Sequence, residues 1–378
     1  MEVKNIEILS STLHKSLNSI YSVIENKPLV AILEDFLFEF DKDVLKITAS
    51  NLQTTLSIII NIKNESKFKI AVPAKIFIET LKNFVNQQIL LCFDCGKSVL
   101  KIKSKNGEYK IACESAENFP LVEVAEENEK IEIDSKVLIN AIKNTIVVAS
   151  NDTSKPVINS ILFSFKNDKL TTVATDIHRL VKFEQPISNI NKNFELLLPK
   201  KNIAILENIL EPEKKLLLSF DKKYVKIVFD NIIYISTLVV ENFPDYERVI
   251  PKNNINKMII NRENLLWSLK RLECFTDSLT LQIKLFISNS KLQIIAEDIN
   301  FENKAEEILD VFYSDDKDLT IAYNIKYLLE IIKNIESDEV IFLFSAINEN
   351  KISNKASIII PEVEKESNTL ILIMPMML

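Results

Sequence analysis

The chain has 378 residues, of which 47% are apolar and 26% charged, and its formal net charge is −7. This length exceeds what one ordinary core organises, so two or three domains are expected. Glycine occurs only as Gly96 and Gly107, where average usage of roughly 7% would give about 26. A Walker phosphate loop and a dinucleotide fingerprint both need closely spaced glycines, so both sites are excluded. Asn tolerates positive φ better than most residues, so we expect it in many turns.

Neither the N-terminal sequence nor the cysteine pattern indicates export, a membrane anchor or a metal site. The first residues, MEVKNIEIL, contain no basic region followed by an apolar run, and no apolar segment approaches the ~20 residues that span a bilayer. Cys92 and Cys95 form a Cys-x-x-Cys motif, but no second pair completes a zinc site, and buried thiols in a strand and turn are the stronger interpretation. We therefore expect a cytoplasmic protein without a metal or cofactor.

The first third of the chain alternates helical and extended patterns. Apolar residues at helical spacing predict a helix over 12–25, and extended segments follow to residue 60. A second helix is predicted over 75–86, entered through Pro73, which suits a helix start. Further extended chain ends in the sequence ENFP at 117–120.

The same order then recurs twice. Helices are predicted over 135–150, 200–210, 262–276 and 324–335, with extended segments between them. The sequence ENFP recurs at 241–244, which is 124 residues after its first occurrence.

Two further markers give the same period as the ENFP sequence. Leu45, Ala49 and Asn51 of the first third recur at offsets of 125 and then 122 residues as Leu170, Ala174, Asp176 and as Leu292, Ala296, Asp298. The second helices contain LKNF, LENI and IKNI at offsets of 125 and 126 residues. A repeat this long is a domain, so we predict domains over 1–124, 125–250 and 251–378.

Each repeat has the order helix, strands, helix, strands. Two helices packed on one face of an antiparallel sheet are the economical solution, which predicts an α+β fold of three similar domains arranged as an arc. The six predicted helices carry twelve Lys or Arg and six Asp or Glu, so their net charge is +6 and that of the remainder is −13. One interpretation is that lysine stands on solvated helix faces simply because it forms helices well. The alternative is a repeated cationic surface for a polyanion.

Four passages carry a resemblance to a known family. They are TTVATDIHRL at 171–180, ENFPDYERVIP at 241–251, IAYNIKYLLEIIKNI at 321–335 and MPMML at 374–378. The chain resembles the bacterial sliding clamps, the beta subunits of DNA polymerase III. The resemblance implies a non-catalytic, head-to-tail homodimer that closes a ring around duplex DNA, with helices lining the hole. It also implies sequence-independent DNA binding and short peptide motifs of polymerase, clamp loader and repair proteins as partners.

The resemblance assigns two sets of residues. The candidate lysines for contact with DNA, of which about half are expected to be ordinary outward-facing helix charges, are Lys75, Lys82, Lys136, Lys143, Lys200, Lys201, Lys326 and Lys333. The expected peptide-binding pocket consists of Lys155, Ile158, Thr175, Ile177, His178, Arg179, Leu180, Pro244, Val249, Tyr327, Leu372, Met374, Pro375, Met376, Met377 and Leu378. Methionine suits such a pocket because it can repack around different partners.

Two positions depart from the family's pattern. Ile177 stands where the family usually has Gly, and a β-branched residue resists positive φ, so we expect the loop either to use an ordinary backbone conformation there or to shift slightly. Met377 stands where a basic residue is frequent, which predicts a more apolar pocket.

Three other interpretations stay open. Asp176 and His178 could belong to a hydrolase, and the chain could be a three-domain protein-binding scaffold that does not encircle DNA. The terminal ILIMPMML could also be an edge strand in a core rather than part of a pocket.

Overall fold

The secondary structure repeats three times along the chain. The computed structural model describes residues 3–63, 67–94, 96–122, 130–188, 192–345, 355–363 and 367–378. Within these residues, each third contains one strand, a helix, four strands, a second helix and three strands, and the last third adds one short strand. The predicted α+β fold of three similar domains, each with two helices on antiparallel sheet, is therefore confirmed.

The elements have the following bounds. In the first repeat they are β1 (Val3–Leu9), α1 (Ser10–Tyr21), β2 (Asp35–Asp41), β3 (Val44–Ser50), β4 (Thr54–Asn61), β5 (Phe68–Pro73), α2 (Ala74–Lys82), β6 (Gln88–Asp94), β7 (Val99–Lys103) and β8 (Glu108–Ala112). In the second they are β9 (Ile131–Asp134), α3 (Ser135–Thr145), β10 (Ser160–Lys166), β11 (Lys169–Thr175), β12 (Arg179–Pro186), β13 (Phe194–Pro199), α4 (Lys200–Ile209), β14 (Lys215–Phe220), β15 (Tyr224–Phe229) and β16 (Ile232–Thr237). In the third they are β17 (Asn254–Asn261), α5 (Arg262–Leu272), β18 (Gln282–Ser288), β19 (Lys291–Asp298), β20 (Asn303–Asp310), β21 (Phe312–Tyr313), β22 (Leu319–Asn324), α6 (Ile325–Asn334), β23 (Glu339–Ser345), β24 (Ser357–Pro361) and β25 (Asn368–Ile373).

The chain forms two compact units. One contains residues 1–136 and 201–238, and its two sheets have the strand orders β1-β6-β7-β8 and β5-β2-β3-β4-β16-β15-β14-β9. The other contains residues 137–200 and 239–378, with the orders β13-β10-β11-β12-β25-β24-β23-β17-β21 and β20-β19-β18-β22. The larger sheet of each unit joins strands from two consecutive repeats, through β4 with β16 and through β12 with β25.

The sequence markers of the repeat have one structural role in all three copies. The Leu and Ala markers are fully buried in the second strand of each four-strand group, which is β3, β11 or β19. The side chains of Asn51, Asp176 and Asp298 each accept hydrogen bonds from the backbone N–H groups two and three residues later. Such turns are characteristic of Asn and Asp, so the marker encodes the turn that ends the strand.

The helices are shorter than the apolar periodicity predicted. α1 ends at Tyr21 and α3 at Thr145, whereas the sequence predicted ends at 25 and 150. Val23 and Val148 remain buried, but their N–H groups bond three residues back to Ile20 and Thr145. The apolar pattern therefore continues into a tighter turn after the helix ends. α5 likewise ends at Leu272, and a 3₁₀ turn follows over Glu273–Phe275.

Turns with positive φ are built from several residue types, of which Asn is the most frequent. Among the described residues, thirteen non-glycine residues have positive φ, and three of them are Asn. Leu52, Ile177 and Leu281 are among the others, whereas Gly107 does not have positive φ. At Leu52 and Ile177 the preceding side chain, Asn51 or Asp176, accepts two backbone hydrogen bonds across the turn and so stabilises the positive φ.

The described residues bear on two further expectations. Cys92 is buried in β6, but Cys95 lies outside the described residues, so the Cys-x-x-Cys interpretation stays a prediction. In the part of the chain that the structure describes, no helix is both long and apolar enough to cross a membrane.

Candidate functional site

The connection between β11 and β12 is a tight hairpin turn of three residues, 176–178, within the TDIHR sequence. Ile177 has φ of 80°, so the expectation of an ordinary backbone conformation was wrong. Asp176 Oδ1 accepts the N–H groups of His178 at 3.0 Å and Arg179 at 2.7 Å, and the N–H of Asp176 donates to the Arg179 carbonyl. These bonds fix the turn, and Ile177 takes the position where the family's glycine would be unstrained.

Arg179 is the centre of a buried charged cluster at this turn. Its side chain is only 5% exposed, and its guanidinium contacts Asp176 at 2.9 Å and Glu330 of α6 at 2.7 Å. The same guanidinium lies 4.3 Å from the ring centre of Tyr327, on which the His178 ring also stacks. A charge this deeply buried needs such partners, so the cluster fixes the turn to α6.

A cavity of about 820 Å³ opens beside this cluster. Its walls come from α3 and the segment after it, the hairpin turn, the start of α4 and one face of α6. The lining residues that were predicted for the peptide pocket are Lys155, Ile158, Ile177, His178, Arg179 and Tyr327. Lys143, Lys200 and Lys333, predicted to face DNA, line the same cavity.

Lys200 gives this cavity a cation without a carboxylate partner among the described residues. Its Nζ donates to the Ala149 carbonyl at 2.6 Å and to Asn151 Oδ1 at 2.8 Å, both of which are neutral acceptors. Burial lowers the pKa of Lys200. The cavity can thus receive an anionic or hydrogen-bond-accepting group.

An apolar cluster packs on the same hairpin, beginning at Leu180, the residue after Arg179. Leu180 and Leu372 are each 4% exposed and belong to one buried cluster with Leu162, Val173, Leu197 and Ala356. The connector after β16 packs on it through Phe243, Tyr246 and Ile250. Lys182 of β12 holds this connector by an ion pair with Glu247 at 2.7 Å.

The C-terminal residues leave β25 and contact the hairpin turn, β22 and β18. The N–H of Met374 donates to the His178 carbonyl at 2.9 Å, which places the start of the tail beside the hairpin turn. The N–H of Met376 donates to the Ala322 carbonyl of β22, and Gln282 Nε2 donates to the Met377 carbonyl. The terminal ILIMPMML is therefore an interior strand of the larger sheet up to Ile373, followed by an exposed apolar tail.

The predicted pocket residues thus fall into three groups. Six line the cavity, as given above. Leu180 and Leu372 belong to the apolar cluster, while the Thr175 hydroxyl is used within the turn, donating to the Arg179 carbonyl at 2.6 Å. The remainder are exposed or half-exposed apolar residues of the connector and tail: Pro244, Val249, Met374, Pro375, Met376, Met377 and Leu378.

Sequence reasoning missed several residues of the site. Glu330 and Tyr246 are the most important, because one pairs with Arg179 and the other packs on the apolar cluster. Glu330 lies three residues after Tyr327 on α6, and this helical spacing is the signal that could have found it. Tyr246 is inside the ENFPDYERV sequence that was already identified as informative.

The eight helix lysines differ in their surroundings. Lys143 pairs with Glu336, and Lys201 pairs with Glu25 at 2.5 Å. Lys200 is half-buried in the cavity wall. The others are exposed on α2, α3 or α6: Lys75, Lys82, Lys136, Lys326 and Lys333.

The helices as observed are more cationic than the predicted ones. They contain twelve Lys or Arg and four Asp or Glu in a chain whose net charge is −7. The difference arises because Glu25 and Glu273 lie beyond the helix ends.

Comparison with curated proteins finds beta sliding clamps. That of Haemophilus influenzae is 25% identical over 88% of this chain and 91% of its own length. The beta sliding clamp of Rickettsia bellii is 26% identical over 90% of this chain and 92% of its own length.

Comparison with solved structures finds the same fold. The DNA polymerase III subunit beta of Pseudomonas aeruginosa superposes with a TM-score of 0.91 at 24% identity, over 99% of this chain and 100% of that one. A sliding clamp from Bartonella birtlesii bound to griselimycin superposes with a TM-score of 0.92 at 24% identity, over 100% of both chains.

Family models match nearly the whole chain in consecutive order. The N-terminal, central and C-terminal domains of the DNA polymerase III beta subunit match residues 4–123, 132–245 and 247–376. This order, together with the threefold repeat and the hairpin cluster, places the chain in the family of DNA polymerase III beta subunits, the bacterial sliding clamps.

Proposed function

We propose that this protein is a DNA sliding clamp, a non-catalytic cytoplasmic processivity factor. Two copies join head to tail, encircle duplex DNA and tether replication and repair proteins to it. The observation that carries this proposal is the excess of basic residues on all six helices of an otherwise acidic chain that belongs to the clamp family. Lysine contacts to phosphate are sequence-independent and individually weak, which suits a protein that must move along DNA.

Encirclement has a specific test in solution. The native particle should have twice the 43.4 kDa mass of the chain. After ATP-dependent loading by a clamp loader, it should remain on nicked circular DNA and leave linear DNA through its ends. A stable monomer, or equal loss from both DNA forms, would instead favour a protein-binding scaffold.

The exposed helix lysines are the proposed DNA contacts. The double variant K75E/K326E should weaken retention on circular DNA at moderate salt, because it reverses exposed charges on α2 and α6. K222E changes an exposed lysine in the turn between β14 and β15 and serves as the control. Equal retention of K75E/K326E and K222E would remove Lys75 and Lys326 from the DNA-binding surface.

We further propose that the apolar cluster, the hairpin turn and the C-terminal tail form the peptide-binding site. The tail supports this because it begins beside His178 and leaves Met374, Met377 and Leu378 at least 44% exposed. Exposed apolar groups beside a cavity of this size are typical of a ligand site. With Ile177 and Met377 also exposed, the site favours apolar partner side chains.

Deletion of Met374–Leu378 tests the tail. A peptide containing Gln followed by Leu and Phe should lose affinity, measured by fluorescence anisotropy, because the exposed apolar contacts disappear. V85A removes part of a side chain that is 88% exposed on the other compact unit and is the control. Unchanged affinity after the deletion would remove the tail from the site.

The hydrolase interpretation has little support from the geometry. Both carboxylate oxygens of Asp176 are occupied, one by two backbone N–H groups and the other by Arg179. The His178 ring instead stacks on Tyr327.

A further inference from the structure

Two carboxylates outside the helices neutralise lysines of the middle repeat. Glu25, beyond the end of α1, pairs with Lys201 of α4 at 2.5 Å. Glu336, beyond the end of α6, pairs with Lys143 of α3. Each pair lies within one compact unit, and each brings an acid from a flanking repeat to a lysine of the middle repeat.

Additional hydrogen bonds position both pairs. Asn51 Nδ2 donates to Glu25 Oε1 at 3.4 Å. At the other pair, Asn334 Nδ2 donates to the Lys143 carbonyl at 3.0 Å and so holds the end of α6 against α3.

The internal repeat does not produce this arrangement. Lys201 is near the start of the second helix of its repeat, whereas Lys143 is near the end of the first helix. Glu25 follows a first helix and Glu336 follows a second helix. The two pairs therefore arise from non-equivalent positions and have the same electrostatic effect.

Fold stability does not explain these pairs well. The four side chains are between 40% and 75% exposed, and exposed ion pairs contribute little to folding. Their larger effect is on charge, because α3 itself contains no Asp or Glu and α4 contains only Glu207. The carboxylates remove the charge of two of the four lysines on these helices.

We propose that Glu25 and Glu336 limit the affinity of α3 and α4 for the DNA backbone by neutralising Lys201 and Lys143. This inference rests on the proposed function, in which these helices face DNA. A phosphate that contacts either lysine must compete with a positioned carboxylate for the same ammonium charge. The clamp then holds DNA less tightly than its lysine count implies, which favours movement along the duplex.

The test is the variant E25Q/E336Q, which keeps side-chain size and removes both negative charges. Binding to a short fluorescein-labelled duplex is measured by anisotropy over a range of salt concentrations. Each phosphate contact adds about 0.9 to the slope of log K against log salt, so two released lysines should steepen it by about 1.8. The variant should bind more tightly at low salt, and its advantage should fall roughly twelve-fold between ~50 and ~200 mM salt.

A matched control separates local release from net charge. D41N/E195Q also removes two carboxylates that pair with lysines, Lys67 at 2.8 Å and Lys166 at 2.5 Å, but both acids are on strands. These two acids are 64% and 47% exposed, values that lie between the 40% of Glu25 and the 75% of Glu336. Equal strengthening by both double variants would overturn the inference, because net charge alone would explain it.

A third variant separates the inference from the proposed function. K75Q/K82Q removes exposed charges on α2 and should weaken binding if the helices face DNA. If K75Q/K82Q weakens binding and E25Q/E336Q leaves it unchanged, the inference fails and the proposed function stands. If no form of the protein shows salt-dependent duplex binding, both fail. The thermal midpoint from Trp267 fluorescence verifies that each variant is folded.

Discussion

Replacing Arg179 with glutamine tests whether the buried charged cluster holds the hairpin turn to α6. The substitution removes contacts to Asp176 and Glu330 and the stacking contact with Tyr327. Removing one partner of a buried ion pair costs about 3–5 kcal/mol, because it leaves the other charge buried and unpaired. Glu330 is 50% exposed and regains water, whereas Asp176 is 13% exposed and keeps two backbone donors. We therefore expect a loss of about 3 kcal/mol in unfolding free energy.

Trp267 is the only tryptophan and lies on α5 in the same compact unit, so its fluorescence during urea unfolding reports the effect. R248Q is the matched control, since Arg248 is 85% exposed and, among the residues that the structure describes, its ion pair is with Asp245 at 2.7 Å. An exposed pair of this kind contributes about 0–1 kcal/mol. A loss in R179Q no larger than that in R248Q would refute the reasoning.

Three further substitutions give distinct results. Burial, together with Glu114 and Glu34, raises the pKa of Asp35 to about 7 from 3.8, so the folded chain keeps a proton that the unfolded chain releases. The contribution of Asp35 to the free energy of unfolding is fully present below about pH 4. It is lost as the pH rises to about 7, which lowers the free energy of unfolding by up to roughly 4 kcal/mol. D35N should remove this dependence in unfolding free energies measured from about pH 5 to about pH 8, and an unchanged pH profile would contradict it. Y323F removes the buried hydrogen bond between Tyr323 Oη and Ser357 Oγ at 2.6 Å and should cost about 1–2 kcal/mol in urea unfolding. Y323F/S357A should cost less than the sum of its single substitutions, because no polar group is then left unpaired; strict additivity would argue against the bond. N51A removes the acceptor of two turn N–H groups and should lower the thermal midpoint by an amount equivalent to about 1 kcal/mol. N106A is the control and should leave the thermal midpoint unchanged, because the Asn106 side chain accepts no such bonds in the described structure.

The repeat and the α+β fold were predictable because burial and turn chemistry are local. Leu45, Ala49 and Asn51 mark a strand and the turn that ends it, and the same three positions recur wherever that strand recurs. The pairing of β4 with β16 was not predictable, because no periodicity in one segment specifies a partner more than 150 residues away.

The site was predictable only in part. His178, Arg179 and Tyr327 came from sequence passages that resemble the clamp family, and the structure brings them together. The conformation of Ile177 was predicted wrongly, because intrinsic preference was considered without the two hydrogen bonds that Asp176 makes across the turn. The ion pairs of Lys143 and Lys201 depend on acids that are distant in sequence, so no local pattern could indicate them.

The sharing of sheets between repeats bears on how the protein can be dissected. The middle repeat contributes β12 to one shared sheet and β16 to the other, and both strands have a hydrogen-bonded neighbour from another repeat. If the middle repeat were expressed alone, the edges of β12 and β16 would both be exposed, with backbone N–H and C=O groups that have lost their partners. The first and third repeats would each expose one such edge. The middle repeat is therefore the one least able to fold outside the chain.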